Sequence, residues 1–552
     1  MEIEYPNKDQ LLETLREMPD ACSDFILLIT GALDTRILSQ LKEYLNECIR
    51  VLKPGGLLFV QGQPEYLPSL GIALDQFLNF KYWIAIESTT LTQKSGLPSR
   101  HAAILLFTKG NNRFNINKVR FPHERCSYCG QPLKDWGGKT HLMHPEGVAV
   151  SDVWHSLPQA NNYSQLSALV IDTIIRMVDF DPQRLLSGLI GPSEGVEPQK
   201  SFVAEPAAIQ YCLPGFNPPR INPYTASNTL SPDLVDIIHH GDAVEVLKKY
   251  PDNSIDLVFA DPPYNLNKAY TVYDDEHRRE EYINWCNSWL YEYVRILKPT
   301  GSLYLLNLPR WTMYHADFLN RHLHFQNWIV WDALSEPRGK LMPAHYGLLF
   351  YTKDPVNFTF NYNQFGNIDA RYYCLRSSCI RQRKLRGVDD KEPLTDFWWD
   401  IHRIKHRRDR DYHPCQLPEA LMERIIHLSS REGDIVLDAL SGTGTTAVVS
   451  ARLNRHYVAI DIDEKYVQIN RDKIEQITQQ GYIARHTVRK VKPRYSKKAL
   501  QLELRDLTIK LGRLPTPEDV QQMSVYSLDA FLQVFPTWGK ALKAAKMEVG
   551  RD

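Results

Sequence analysis

The sequence lacks a long apolar run. Its longest, around "DFILLITGAL", falls far short of the roughly twenty residues that span a bilayer, and "MEIEYPNKDQ" has no basic-then-apolar leader pattern. Neither a membrane partner nor secretion is therefore expected. Cysteine is sparse: nine residues, an odd number scattered over 552 positions, suit a reducing cytoplasm better than a disulfide framework. Charge of one sign is lacking too. With 65 basic side chains against 65 acidic ones, no global basic field marks a polyanion partner, and any such surface must be local. What remains is an ordinary globular composition, 43% hydrophobic and 24% charged, on a chain too long for one core.

The chain repeats itself. "CIRVLKPGGLLFV" from Cys48 returns as "YVRILKPTGSLYL" from Tyr293. "RHAAILLFTKG" from Arg100 matches "AHYGLLFYTKD" from Ala344, and "SDVWHSLPQ" from Ser151 matches "TDFWWDIHR" from Thr395, both 244 residues on. Matches that share one register point to internal duplication. The Pro-, Asn- and Ser-rich stretch "YCLPGFNPPRINPYTASNTLSP" separates the copies as a linker. These landmarks give a first copy over 1–200, a linker over 201–232, a second copy over 233–480, a basic linker over 481–498 and a helical tail over 499–552. The basic linker carries Arg485, Arg489, Lys490, Lys492, Arg494, Lys497 and Lys498 without one acid, a solvated face or a phosphate-contacting strap. Breaks at Gly512 and at Phe535-Pro-Thr-Trp predict three short helices in the tail.

Chemistry concentrates in the second copy. "IDLVFA" reads as a buried parallel strand with Asp261-Pro262-Pro263-Tyr264 at its C-terminal end, the edge where open α/β sheets bind ligands. An acid and a carbonyl freed by consecutive prolines offer two acceptors to one amino group, and Tyr264 offers an aromatic face. Further on, a strand ends at Asp438, the turn "SGTGTT" follows with Gly442 and Gly444, and a second strand ends in Asp461, 19 residues beyond Gly442. An acid at that distance suits ribose hydroxyls. No third glycine completes G-x-G-x-x-G, which disfavours a pyrophosphate cofactor relative to S-adenosyl-L-methionine.

With "HPCQLPEALMERIIHLSS" just before the glycine turn, the second copy resembles the beta class of amino DNA methyltransferases over roughly Leu234 to Gln480. The resemblance implies a Rossmann-like α/β methyltransferase fold, here duplicated, with a small all-α C-terminal domain. It implies transfer of a methyl group to the exocyclic amine of a flipped base in double-stranded DNA, adenine N6 favoured over cytosine N4, and a setting such as restriction-modification. Asp261, Pro262, Pro263 and Tyr264 would be the catalytic set. Asp438, Leu440, Gly442 and Gly444 would wrap the methionine part of the cofactor, Asp461 its ribose and Asp242 its adenine, with His413 and Gln416 closing over it. Leu440 stands where the family usually has an aromatic. The mechanism needs no metal. A recognition segment over 355–412 would use Arg376, Arg381, Arg383, Lys384, Arg386, Arg407 and Arg408 on phosphates and guanine edges; the alternative is a solvated basic loop. The tail's "LGRLPT…TWGKALKAA" resembles the helical repeat found beside homing endonucleases and implies a DNA-binding accessory module. The competing readings are a DNA-binding scaffold with both folds inactive and a methyltransferase acting on RNA or protein.

On the same register, the first copy has Thr30-Gly31-Ala32-Leu33 in place of the catalytic tetrapeptide, and its glycine turn reads Gly191-Pro-Ser-Glu-Gly195. No strand ending in a ribose-binding acid follows. The first copy is expected to be inactive and to act as a built-in pseudo-dimer partner. It also holds "CSYCGQPLKDWGGKTHLMH", where Cys126, Cys129, His141 and His144 read either as a zinc site or as a metal-free relic of one.

Overall fold

The computed structural model describes residues 2–7, 10–30, 38–92, 94–110, 115–133, 141, 143–155, 166–178, 186–191, 228–266, 276–333, 341, 343–374, 376–388, 390–404, 416–480, 497–535 and 537–545. The chain forms two compact units, one of residues 1–119, 149–370 and 390–483, the other of 120–148, 371–389 and 484–552. The boundaries read from the sequence divide the chain by copy. The structure instead puts both sheets in the first unit, and one segment of each copy joins the tail in the second, which splits the segment 355–412.

In the first unit, β1 (Glu2–Glu4), β2 (Ser23–Ile29), β3 (Leu52–Gly62), β4 (Asn79–Thr92), β5 (Ser99–Thr108), β6 (Val153–Trp154) and β7 (Ser187–Gly191) form one sheet in the order β1-β7-β2-β3-β5-β4-β6. The other runs β8-β15-β14-β9-β10-β12-β11-β13, built from β8 (Ile237–His240), β9 (Ile255–Ala260), β10 (Leu297–Asn307), β11 (His324–Trp331), β12 (Tyr346–Thr352), β13 (Phe397–Trp398), β14 (Ile435–Asp438) and β15 (His456–Asp461). The sheets correspond strand for strand from β7 and β14 outward: parallel to β3 and β10, antiparallel through β5 and β12, parallel again at the last strand. They differ at the opposite edge. β8 pairs with β15, whereas β1 pairs directly with β7, so among the described residues the first copy has no strand in the place of β15.

The repeated Lys-Pro motif has a structural reason. Lys109 Nζ donates to the carbonyls of Ile49 and Leu52 at 2.6 and 2.7 Å, and Lys353 Nζ to those of Val294 and Leu297 at 2.8 and 2.7 Å. Each lysine of a "TK" island thus satisfies carbonyls left open where the helix before "LKP" ends. Lys53 pairs with Asp24 at 2.9 Å and Lys298 with Asp256 at 2.8 Å, tying the same two strands in each copy. Arg50 and Arg295 reach back to the carbonyls of Leu15 and Leu247.

The other repeated islands meet across the copies. Asp152 accepts the Ala344 N–H at 2.7 Å and faces His345 Nδ1 at 3.0 Å. Its counterpart Asp396 accepts the Arg100 N–H at 2.8 Å and the Ser99 hydroxyl. Trp83 stacks on Trp328, and Asn327 bonds both the N–H and the carbonyl of Leu97 at 2.9 and 3.0 Å. One core of buried apolar residues, Leu105, Trp83, Trp328 and Met313 among them, belongs to both copies.

In the second unit, helices Lys497–Leu511, Pro517–Met523, Leu528–Val534 and Trp538–Ala544 pack around Leu500, Leu504, Val520, Phe531 and Phe535. Among the described residues the tail has four helices rather than three: a further break falls at Ser524–Ser527, where Ser527 caps the next helix through the Ala530 N–H. Arg505 Nη1 donates to the His141 carbonyl at 2.7 Å, joining the tail to the first copy's segment.

Candidate active site

β9 and β14 end side by side at one edge of the second sheet, Phe259 opposite Asp438, and β15 ends beyond them at Asp461. A cleft of about 1060 Å³, partly open to solvent, lies over these ends. Asp242, Asp261, Pro262, Pro263, Gln416, Asp438, Leu440, Gly442 and Asp461 all line it, so the structure gathers nine of the twelve catalytic and cofactor candidates read from the sequence. Five aspartates line the cleft, Asp242, Asp261, Asp438, Asp461 and Asp463, and among the described residues no Lys or Arg does.

The glycine turn is built for this position. Gly442 and Gly444 have φ of +50° and +81°, the left-handed region that side chains resist, and a Cβ on Gly444 would overlap the buried Asn470. The turn lets the Gly442 N–H reach Asp461 Oδ2 at 2.7 Å, while the Asp463 N–H holds Oδ1 at 2.8 Å. Asp438 accepts from Thr446 Oγ1 at 2.6 Å and from the Leu440 N–H at 3.1 Å. Burial dominates both carboxyls. It pushes Asp438 up to about 7, with Asp461 adding repulsion, and Asp461 up to about 6 against those two N–H donors. Asp242 caps the helix Ala243–Leu247 through the Glu245 N–H.

The tetrapeptide is held by groups that the sequence did not single out. Tyr282 Oη donates to the Pro263 carbonyl at 2.6 Å and accepts from Asn307 Nδ2 at 2.9 Å, and Trp311 Nε1 donates to the Tyr264 carbonyl at 2.9 Å. Tyr293 Oη bonds the Phe259 carbonyl at 2.9 Å and the Ala439 N–H at 2.7 Å, locking the two strand ends together. Among the described residues no group donates to the Pro262 carbonyl. Tyr264 differs from its expected part: it is 3% exposed, donates to Asp261 Oδ1 at 2.7 Å and packs its ring on Tyr346 with centroids 5.5 Å apart. Gly444 shapes the turn without lining the cleft, and His413 lies outside the described residues.

The basic candidates separate. On the helix Ser377–Leu385 and at its end, Arg381, Lys384 and Arg386 are exposed. Arg383 is 1% exposed and lies over the Tyr373 ring at 4.1 Å, so it cannot offer its guanidinium to a duplex; the sequence assignment of Arg383 is corrected. Arg376 is half-buried on the Pro132 carbonyl at 2.7 Å, and Arg407 and Arg408 lie outside the described residues. The zinc reading is also corrected. Cys126 and Cys129 gather with Cys374 and Cys379, not with His141 and His144. In the first copy Thr30 is buried and spends its hydroxyl on the Gln61 carbonyl at 2.6 Å; Gly31–Leu33 and Glu194 lie outside the described residues.

The fold and site are those of a doubly wound α/β protein with an acidic cleft over a glycine turn, beside an Asp-Pro-Pro-Tyr strand end. The DNA methylase model of the N6/N4 methyltransferases matches residues 33–207 and 255–472, and the chain belongs to that family. A homing endonuclease associated repeat matches 495–548. The chain is similar to the type II methyltransferase M.BamHI of Bacillus amyloliquefaciens, 36% identical over 41% of this chain and 54% of the relative. It is similar to M.HpaI of Haemophilus parainfluenzae, 35% identical over 42% of this chain and 72% of the relative. It is similar as well to the DNA adenine methyltransferase YhdJ of Escherichia coli K12, 33% identical over 43% of this chain and 82% of the relative. The chain thus spans about half the length of M.BamHI. The family's cofactor is S-adenosyl-L-methionine, and the cleft fits it: aspartates for a sulfonium and hydroxyl donors, and the exposed Ile462 as an apolar face. No helix among the described residues is long and apolar enough to cross a membrane.

Proposed function

We propose that the second copy methylates the exocyclic amine of a base flipped out of double-stranded DNA, adenine N6 in preference to cytosine N4. The observation that carries the reading is the juxtaposition of Asp261 and the Pro262 carbonyl with the acidic cleft of Asp438 and Asp461. Bound there, S-adenosyl-L-methionine supplies an electrophilic methyl group. The Asp261 carboxylate and the Pro262 carbonyl accept the two amine hydrogens, which draws the nitrogen lone pair out of conjugation with the ring. Tyr282 and Trp311 fix the tetrapeptide so that those acceptors are aimed before substrate arrives. Asp461 accepts the ribose hydroxyls, and Asp242 takes the cofactor's adenine amine. "DPPY" followed by Asn265 and the likeness to YhdJ support adenine. A restriction-modification setting agrees with the names of the type II relatives.

Mass spectrometry of nucleosides from DNA incubated with protein and cofactor tests this directly. N6-methyladenine is the expected product, N4-methylcytosine would move the base assignment, and no methylated product would overturn the reading.

The first copy is proposed as the fused partner of a pseudo-dimer. The reciprocal Asp152–Ala344 and Asp396–Arg100 bonds support this, because each copy gives the other the same bond. If a chain without its first 200 residues stayed soluble and active, this role would fall.

A further inference from the structure

Cys126 and Cys129 form a C-x2-C turn closed by Gly130, whose φ of +67° suits glycine and whose N–H donates to the Cys126 carbonyl at 2.8 Å. Cys374 and Cys379 come from the second copy's segment, Cys379 in the first turn of the helix Ser377–Leu385. All four lie in the second unit, and their Sγ atoms are within 4.8 Å of one another. Cys126 Sγ is 3.9 Å from Cys379 Sγ, and Cys129 Sγ is 3.6 Å from Cys374 Sγ. Those distances are far too long for a disulfide, whose sulfurs sit about 2.05 Å apart. They suit a common tetrahedral centre, because four sulfurs about 2.3 Å from one zinc ion are about 3.8 Å from each other.

We propose that Cys126, Cys129, Cys374 and Cys379 bind one structural zinc ion that staples residues 120–148 to residues 371–389. Four thiolates complete the coordination and leave no open position, so the ion holds the fold and takes no part in catalysis. Three of the cysteines are buried and Cys129 is half-buried. Around them the two segments are already in register: the Ser127 N–H donates to the Tyr372 carbonyl at 3.0 Å and Arg376 Nη2 to the Pro132 carbonyl at 2.7 Å. The Cys374 N–H points at Cys126 Sγ at 3.3 Å, a donor of the kind that outer-shell groups give to a ligand sulfur. Zinc with four thiolates carries a net negative charge. The buried Arg383 lies one turn beyond Cys379 on the same helix face and supplies a compensating cation. The staple also gives a reason for a cysteine pair in each copy: one pair cannot close the site alone.

Elemental analysis of the purified full-length protein tests the proposal independently of any methyltransferase activity. One zinc per chain is expected, released as four thiols react with an organomercurial, and replacement by cobalt should give the visible bands of a tetrahedral thiolate complex. Cys374→Ser should lose the zinc, and the His141→Ala/His144→Ala double variant should keep it. If Cys374→Ser does not fold, the zinc content and thiol titration of the unaltered chain still decide. No stoichiometric zinc with all four thiols freely reactive, iron with acid-labile sulfide, or zinc lost from the histidine variant and kept by Cys374→Ser would each overturn it.

Discussion

Trp83 and Trp328 occupy matching places in the two copies and lie face to face, ring centroids 3.7 Å apart and planes 10° from parallel. Each is buried, and the interface they share belongs to the common core. Truncating either to alanine leaves a cavity in that core, so Trp83→Ala and Trp328→Ala should each cost about 3–5 kcal/mol in denaturant unfolding. Because the rings touch, the double variant should cost less than the sum. Simple additivity would mean that the stack contributes nothing of its own.

At the strand end the expectation separates chemistry from binding. Asp261→Ala should lower turnover at least about a hundredfold, the scale seen when one preorganised polar group is removed, with cofactor affinity nearly unchanged. Tyr282→Phe removes the bond that holds the Pro263 carbonyl together with the one accepted from Asn307, each worth about 0.5–1.5 kcal/mol. Its turnover should fall several-fold, again with little change in cofactor binding by calorimetry. Near-normal turnover in Asp261→Ala would defeat the catalytic assignment.

Much of this was legible because it is local in the chain. Asp261, Gly442 and Asp461 stand at strand ends that hydrophobic runs announce, and the duplication appears as islands on one register. Two of the islands meet across the copies: Asp152 and Asp396 each bond the other copy's "AHYG" or "RHAA" segment. What stayed hidden depends on contacts distant in sequence. Tyr282, Asn307 and Tyr293 read as ordinary apolar-face or strand residues until the sheet brings them to the tetrapeptide. Cys126 and Cys374 lie in different copies, so nearby histidines offered a false completion of the metal site. Arg383 resembled its neighbours in a basic run, and only helix phase separates a buried guanidinium from the exposed Arg381 and Lys384.

Gly444→Ala should be costly for two separate reasons. The left-handed backbone strains any side chain, and the new Cβ meets Asn470, which is fully buried beneath the turn. Reduced stability and weakened cofactor binding are expected together. Adding Asn470→Ala should relieve the overlap and not the backbone strain, recovering part of the stability. A full recovery measured by thermal unfolding would show that the strain is negligible.

Cofactor affinity should depend on pH through Asp461 and Asp438. Burial raises both folded-state values, to about 6 and about 7, above the ordinary carboxylate value of 3.8. In the free protein their contribution to stability is thus fully present below that ordinary value and is lost as pH rises through about 6 to 7. Ribose hydroxyls and a sulfonium favour the ionised carboxylates, so binding has the opposite trend: affinity should rise with pH through this window and then level off. Asp461→Asn should weaken binding at high pH and flatten the dependence on the lower step. An unchanged pH profile in Asp461→Asn, measured by calorimetry, would remove Asp461 from the ribose role.

The exposed cations of the helix Ser377–Leu385 provide the test of DNA binding. Reversing Arg381 and Lys384 to Glu changes charge on exposed positions and leaves the packing of Arg383 on Tyr373 intact. Affinity for duplex DNA should fall, and the slope of log affinity against log salt should flatten by about one for each phosphate no longer neutralised. Arg383→Ala should act differently, lowering the thermal stability of the second unit because the Tyr373 ring no longer has a buried cation over its face. If the double reversal left both affinity and salt slope unaltered, the helix would be a solvated face and the recognition surface would have to lie elsewhere.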